Sequence, residues 1–353
     1  MKKRLALALF VALVPLSATT VPTGAATAGA QHGALHVGLR IAGAGELAAK
    51  SASYDASVRR VLIESGSPRF VALASLSPHA VMPDDVAAEN DRLFRAASLA
   101  SDDALVQWLT ANHLLATHDG ERAAPVIAAL TRLESDNAAA WALALALAAS
   151  RGEPDGVDSA LAHMAASARS DEHVVDALHA WLAVYEQHPR PRAAFANPAE
   201  ADAAPFVDAM SRATAAALPS YQPIVDACKS STGTSRAADC AGAAHVMLYR
   251  ATSLSSRAVG FVLLRNLGDS YVTPADLAAR RDLAWIAENA GRATGFSDLD
   301  RLAIEAHRED WRALGDEVEI MQRALRRAGL PAAAPDGWMP HPQPPPFARA
   351  GAG

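Results

Sequence analysis

"SDDALVQWLTANHLLATHDGERAAPVIAALTRLESDN", residues 101 to 137, holds two apolar stripes with a turn between them. In its second half Ala123, Val126, Ile127, Leu130 and Leu133 recur at steps of three and four, the spacing of one face of an α-helix. "ALVQWLTANHLL" reads as the helix before it, and "HDGE" supplies the turn chemistry that separates them. Two similar tags bracket the stretch, "SDD" from Ser101 and "SDN" from Ser135. A Ser or Asp there can accept a hydrogen bond from the unpaired N–H groups of a first helical turn, and acidic charge suits the positive end of the helix. Each tag therefore predicts a helix start.

The tag recurs outward in both directions, as "SPR" from Ser67 and "SDE" from Ser170, giving spacings of 34, 34 and 35 residues. Every interval accommodates two helical stretches. After Ser170 the stripe runs Val174, Leu178, Trp181 and Tyr185; near the end of the chain Trp311, Leu314, Val318, Met321 and Leu325 repeat the step. Helix pairs at a period near 34 resemble the tetratricopeptide repeat, whose units stack into a superhelix. The resemblance covers residues 67 to 190, with Trp141 at the family's signature tryptophan; Leu145 and Ala148 replace its small residue and second aromatic. The implied fold is all-α: a tetratricopeptide-like helical-hairpin solenoid over residues 53 to 190, then a helical bundle over 203 to 328. In such arrays the first helix of each pair lines an inner binding face, which here implicates Asn112, Trp181 and Tyr185. The amide can hydrogen-bond a peptide backbone, and rigid aromatics give contact area at little entropic cost. Trp181 and Tyr185 also share a stripe with Val174 and Leu178, so core packing is the simpler account of them.

The chain opens "MKKRLALALFVALVPLSATT", a charged start and a hydrophobic run, followed by small-residue sites ending at Ala28 and Ala30. That pattern predicts a secretory signal peptide over residues 1 to 30, too short in its apolar part to span a bilayer. Residues 31 to 52 read as a Gly- and Ala-rich flexible leader. Removing Lys2, Lys3 and Arg4 with the signal moves the formal charge from −6 to −9, which argues against nucleic acid or an anionic membrane surface as partner. Half the residues are hydrophobic but only 5% aromatic; that alanine-rich balance favours close-packed helices. The two cysteines, Cys228 and Cys240, lie 12 apart across a Ser/Thr/Gly loop, and in an oxidising compartment predict a disulfide between consecutive helices.

Beyond Pro189, "HPRPRAAFANPAEADAAP" marks a joint between two halves. The second half predicts helices at about 203 to 217, 219 to 229, 235 to 252, 255 to 266, 274 to 291 and 298 to 328. Thr273-Pro274, and Ser297 with Asp300, are the clearest openings. Residues 329 to 353 read as a Pro-rich, aperiodic tail.

Motifs that carry chemistry are few. Gly43, Gly45 and Ala48 have the spacing of a dinucleotide-binding turn, with Glu64 placed as a ribose acceptor, but no alternation of strands and helices follows. No cofactor is therefore expected. His32 and His36 are four apart, the spacing of one helical face, but lie in the Gly- and Ala-rich leader; His113/His118 and His173/His179 do not share a face, and no metal is expected. Glu305, His307, Glu309 and Asp310 cluster in "EAHREDW" and offer an acid–base alternative, an exported hydrolase in the second half; a solvated charged helix face is the simpler account. The leading expectation is an exported, non-catalytic scaffold binding a protein or peptide in the bacterial cell envelope.

Overall fold

The tags do mark helix starts, and in the two central ones the residue that caps is the third rather than the serine, while Ser67 stands at the N-cap of its helix without a side-chain bond. The computed structural model describes residues 44–76, 85–192, 195, 198–229, 235–295 and 300–340. Among them are fifteen α-helices and no strand: α1 (Ala44–Glu64), α2 (Pro68–Ser75), α3 (Val86–Leu99), α4 (Ala104–Ala116), α5 (Gly120–Leu133), α6 (Ala138–Arg151), α7 (Pro154–Ala166), α8 (Val174–Gln187), α9 (Pro198–Ala217), α10 (Gln222–Lys229), α11 (Arg236–Arg250), α12 (Leu254–Leu267), α13 (Pro274–Thr294), α14 (Arg301–Ala313) and α15 (Glu317–Arg327). Asp103 caps α4 by accepting from the Val106 N–H at 3.3 Å, and Asn137 caps α6 by accepting from Ala139 at 3.1 Å. The fourth tag departs from this. His173 stands at the N-cap of α8 with φ 57°, a left-handed conformation uncommon outside glycine, and makes no side-chain cap.

Hairpins α2/α3, α4/α5 and α6/α7 pack side by side in chain order, α3 against α4 and α5 against α6. Small and branched residues fill the seams: Leu93, Ala97, Leu105, Leu109, Ala123, Ile127 and Ala140 are all buried. Gln107 is buried too, but its amide donates to the carbonyls of Ala97 and Ala100 at 2.7 and 2.9 Å, so no polar group is stranded at the end of α3.

The order then breaks. The helix beside α7 is α11, paired in turn with α12, while α8 packs on α2 and α9. Two glycines permit the close approach: a Cβ at Gly242 would stand 2.7 Å from the Ala165 Cβ, and one at Gly260 would stand 2.5 Å from the Leu248 nitrogen. One hydrophobic interior joins α1–α6, α8 and α9 with Ile304, Trp311 and Ile320; a second joins α6 and α7 with α10–α13 and α15. Helix α6 contributes to both, so the interior does not divide at the Pro-rich joint.

Four boundaries differ from expectation. Helix α1 already begins at Ala44, inside the predicted leader, so Gly45 and Ala48 are helical and Glu64 is the last helical residue. The long last helix is two, because the chain turns extended at Leu314, passes Gly315, and restarts at Asp316, which accepts from the N–H groups of Val318 and Glu319. Asp300 itself caps α14, accepting from Leu302 and Ala303. Helix α9 begins at Pro198, five residues early. Thr273 and Asp276 form the capping box that their spacing suggests. Cys228, at the end of α10, and Cys240, in α11, are disulfide-bonded with Cα atoms 5.6 Å apart. By the chain-entropy estimate such a link contributes roughly 3 kcal/mol. No helix among the described residues is long and apolar enough to cross a membrane. The predicted signal peptide, Ala28, Ala30, His32, His36, Gly43, Ser297 and the last part of the tail lie outside the described residues.

Candidate functional site

The inner face expected to carry a partner is in part occupied by the chain itself. Helix α9 lies against α4, where Asn112 donates to the carbonyls of Ala216 and Leu218 at 3.0 and 3.2 Å and the Trp108 indole donates to Ala217 at 2.9 Å. Those carbonyls are the ones that a helix C-terminus leaves unpaired. Asn112 does bind a peptide backbone, and it is this chain's own.

Trp181 and Tyr185 are buried, as core packing requires, and Tyr185 also lines a cleft. Helix α8 places them one turn apart, with ring centroids 5.8 Å from each other. Helix α1 adds Tyr54, stacked on Tyr185 at 6.5 Å, and Asp55. Helix α9 presents Ala201, Asp202, Pro205, Asp208 and Arg212 at steps that keep them on one side. The segment after α8 brings Pro189, Arg190, Arg192 and Phe195. Tyr54, Tyr185, that segment and the Ala201, Asp202, Pro205 and Asp208 face of α9 enclose a cavity of about 220 Å³, and Asp55, Trp181 and Arg212 pack together beside it without adding space.

Its charges are interleaved with its rings. Arg190 lies over Tyr54 at 4.9 Å and near the Phe195 ring at 5.9 Å; Arg212 lies over Trp181 at 5.0 Å. Asp55 meets Arg212 at 2.8 Å and Arg190 at 3.5 Å, Asp208 meets Arg190 at 3.1 Å, and Arg192 meets Asp202 at 3.1 Å. Burial pushes the Tyr54 phenol up to about 12 against the opposing effect of Arg190, and its hydroxyl donates to the His188 carbonyl. Burial likewise raises Tyr185, and raises the Asp208 carboxyl despite Arg190 and Arg212. The Tyr185 hydroxyl is buried and has no hydrogen-bond partner among the described residues.

The acid–base alternative does not converge. His307 is buried, its Nε2 accepts from the Trp311 indole at 3.0 Å, and burial followed by the Arg327 charge drops its pKa to about 3, which holds the ring neutral. Glu305 pairs with Arg308 on the surface, Glu309 is exposed, and Asp310 pairs with Arg327 and Arg323. Among the other histidines, His113 meets the Asn90 side chain at 3.0 Å, and burial lowers its pKa. His173 is gripped by Glu134 and Asp176, both at 2.9 Å; burial disfavours its charge, but the two carboxylates prevail and raise it to about 10. No metal-holding cluster of His, Cys, Asp or Glu occurs among the described residues.

Reading the sequence missed Tyr54, Asp55, Arg190, Asp208 and Arg212. Their local signals were present, an apolar-and-acidic face on α9 and "YD" in α1, but only the packing of three helices distant in sequence brings them together. No family model matches the chain, and no curated protein matches it.

Proposed function

We propose that the protein is an exported, non-catalytic helical-hairpin scaffold of the bacterial cell envelope, akin to tetratricopeptide arrays, which binds a protein or peptide through the cleft between α1, α8 and α9. The cleft carries this reading: aromatic walls and both signs of charge together make a recognition surface. The hairpins packed in chain order and the 34-residue tag support the repeat comparison. The basic-then-apolar N-terminus and the disulfide support export. The face around Asn112 is closed by α9, which moves the expected contact away from it.

Affinity capture from envelope extract tests this, using the unaltered protein, a double variant Arg192→Glu/Phe195→Ala, and Asn112→Ala, each first shown to be folded by circular dichroism. The unaltered protein and Asn112→Ala are expected to retain the same partner, and the double variant to lose it. Loss with Asn112→Ala alone, or no partner for any of the three, overturns the reading.

A further inference from the structure

The chain that follows α15 has no regular secondary structure, yet it is held in place. Gly329, with φ 70°, ends the helix; its N–H and that of Leu330 donate back to the carbonyls of Arg326 and Leu325 at 3.1 and 2.9 Å. Residues 330 to 338 then lie along α13 as a strap. The Trp285 indole donates to the Pro331 carbonyl at 2.8 Å, and Asp282, three residues earlier on the same helix face, accepts from the Ala334 N–H at 3.0 Å. Trp338, placed by a turn in which its N–H donates to the Pro335 carbonyl, meets the Trp285 ring edge to face at 5.3 Å. Ala334 is buried, and Leu330 packs on the second interior. Helix α13 thus holds an extended segment as peptide-docking surfaces do, through backbone groups, a seat for one small side chain and one aromatic anchor.

None of these contacts requires that strap and helix belong to one chain. Reciprocal exchange between two copies remakes every one of them, so it is opposed only by the freedom lost on association and by the change of path at Gly329. The same region leaves apolar surface in water: Leu277 on α13 and Met339 at the end of the strap are 52% and 76% exposed, and Tyr249, whose hydroxyl donates to Asp276 on α13, is 44% exposed. Association is what covers such side chains. We propose that α13 is a self-association surface, and that in a two-fold dimer the strap of each copy lies on α13 of the other. The cleft between α1, α8 and α9 plays no part in it, so this reading is independent of the binding function above.

Light scattering of the purified full chain over a concentration series is the first test, and a mass rising from one copy toward two is expected. Crosslinking is the second. The chain's two cysteines are bonded to each other, so mixing a chain that carries Asp282→Cys with one that carries Ala334→Cys puts one new thiol on each side of the contact. Oxidation of the mixture is expected to give a covalent dimer whose bridge, mapped by mass spectrometry, joins the two altered positions. Trp338→Ala, first shown to be folded by circular dichroism, is expected to shift the equilibrium roughly tenfold or more toward single copies. An excess of a synthetic peptide of residues 330 to 340, added to the unaltered protein, is expected to act in the same direction. A single-copy mass at every concentration overturns the proposal. So does a dimer in which the mixed bridge does not form, or one that neither Trp338→Ala nor the peptide weakens, because its interface then lies elsewhere and the strap stays on its own α13.

Discussion

Tyr185 and Asn112 show how one polar atom decides the role of a buried side chain. The Tyr185 ring gains from burial against Tyr54 and Trp181, while its hydroxyl has lost water without a replacement among the described residues. Tyr185→Phe is therefore expected to leave the unfolding free energy unchanged or to raise it by about 1 kcal/mol, measured by urea denaturation; a clear loss would mean that the hydroxyl has a partner in the folded protein. Asn112 is the opposite case. Its amide satisfies two carbonyls at the end of α9, so Asn112→Ala is expected to cost about 1–3 kcal/mol in the same experiment. From the sequence, Asn112 could be identified as a ligand for backbone carbonyls and Tyr185 as an aromatic on a buried stripe. The identity of the backbone that Asn112 binds was not legible, because α9 lies about a hundred residues further along the chain.

Helix starts depend on a handful of atoms, which is why they were legible. Asn137 is the fullest example: its Oδ1 accepts from the N–H groups of Ala139 and Asp171, and its Nδ2 donates to Glu134 and the Asp171 carbonyl. An amide side chain has the donors and acceptors to make all four, and a carboxylate does not. Asn137→Ala is expected to cost more than the ~0.5–2 kcal/mol of an ordinary cap, and Asn137→Asp to fail as a rescue because it sets a second carboxylate against Glu134. Chemical denaturation of both variants checks this; recovery of stability in Asn137→Asp would show that Asn137 acts only as a local cap. The same tag misled where its chemistry changed. "SDE" from Ser170 keeps the spacing but places Glu172 and His173 where an Asx cap belongs. That helix leaves the stack, and α11 takes the position beside α7 that Gly242 keeps open. Periodicity along a chain reports which face of a helix is apolar; it carries no information on which distant helix covers that face. The cleft, assembled from α1, α8, α9 and the segment after α8, was illegible for the same reason.

Across the whole molecule, the displaced α8 is tied back to the second half at a junction of three segments. Ser170 accepts from Thr252 and donates to Arg250, and the Glu317 N–H donates to the Thr252 carbonyl. Two carboxyls are enclosed there. Glu317 accepts from the Leu254 N–H at 2.7 Å, and Glu172 lies beside Ser253 and Ser256 at the start of α12. Burial pushes both to about 7, opposed for Glu172 by the neighbouring Ser256 and Ser253 hydroxyls and for Glu317 by the Leu254 N–H and Arg257. A carboxyl raised in the folded state contributes stability that is complete below the unfolded value of about 4.5 and is lost as pH rises through about 7. Glu134 and His173 act at the edges of that range. Glu134 is buried, but its bonds from His173, Arg169 and Asn137 depress it to about 2, so its contribution is lost only as pH falls from about 4.5 toward 2. His173, raised to about 10, contributes fully below about 6.5 and loses that contribution as pH rises toward 10. His307, lowered to about 3, and His113, also lowered, act the other way and add stability as pH rises toward about 6.5, so the signs combine into a net decline between pH 5 and 8 that is steepest above about 6.5. Thermal unfolding measured across that interval is expected to show the decline, and Glu172→Gln and Glu317→Gln each to flatten it by keeping a neutral side chain in place. A melting temperature that holds level from pH 5 to 8, or a slope untouched by both substitutions, would mean that these two carboxyls are not the groups that set it.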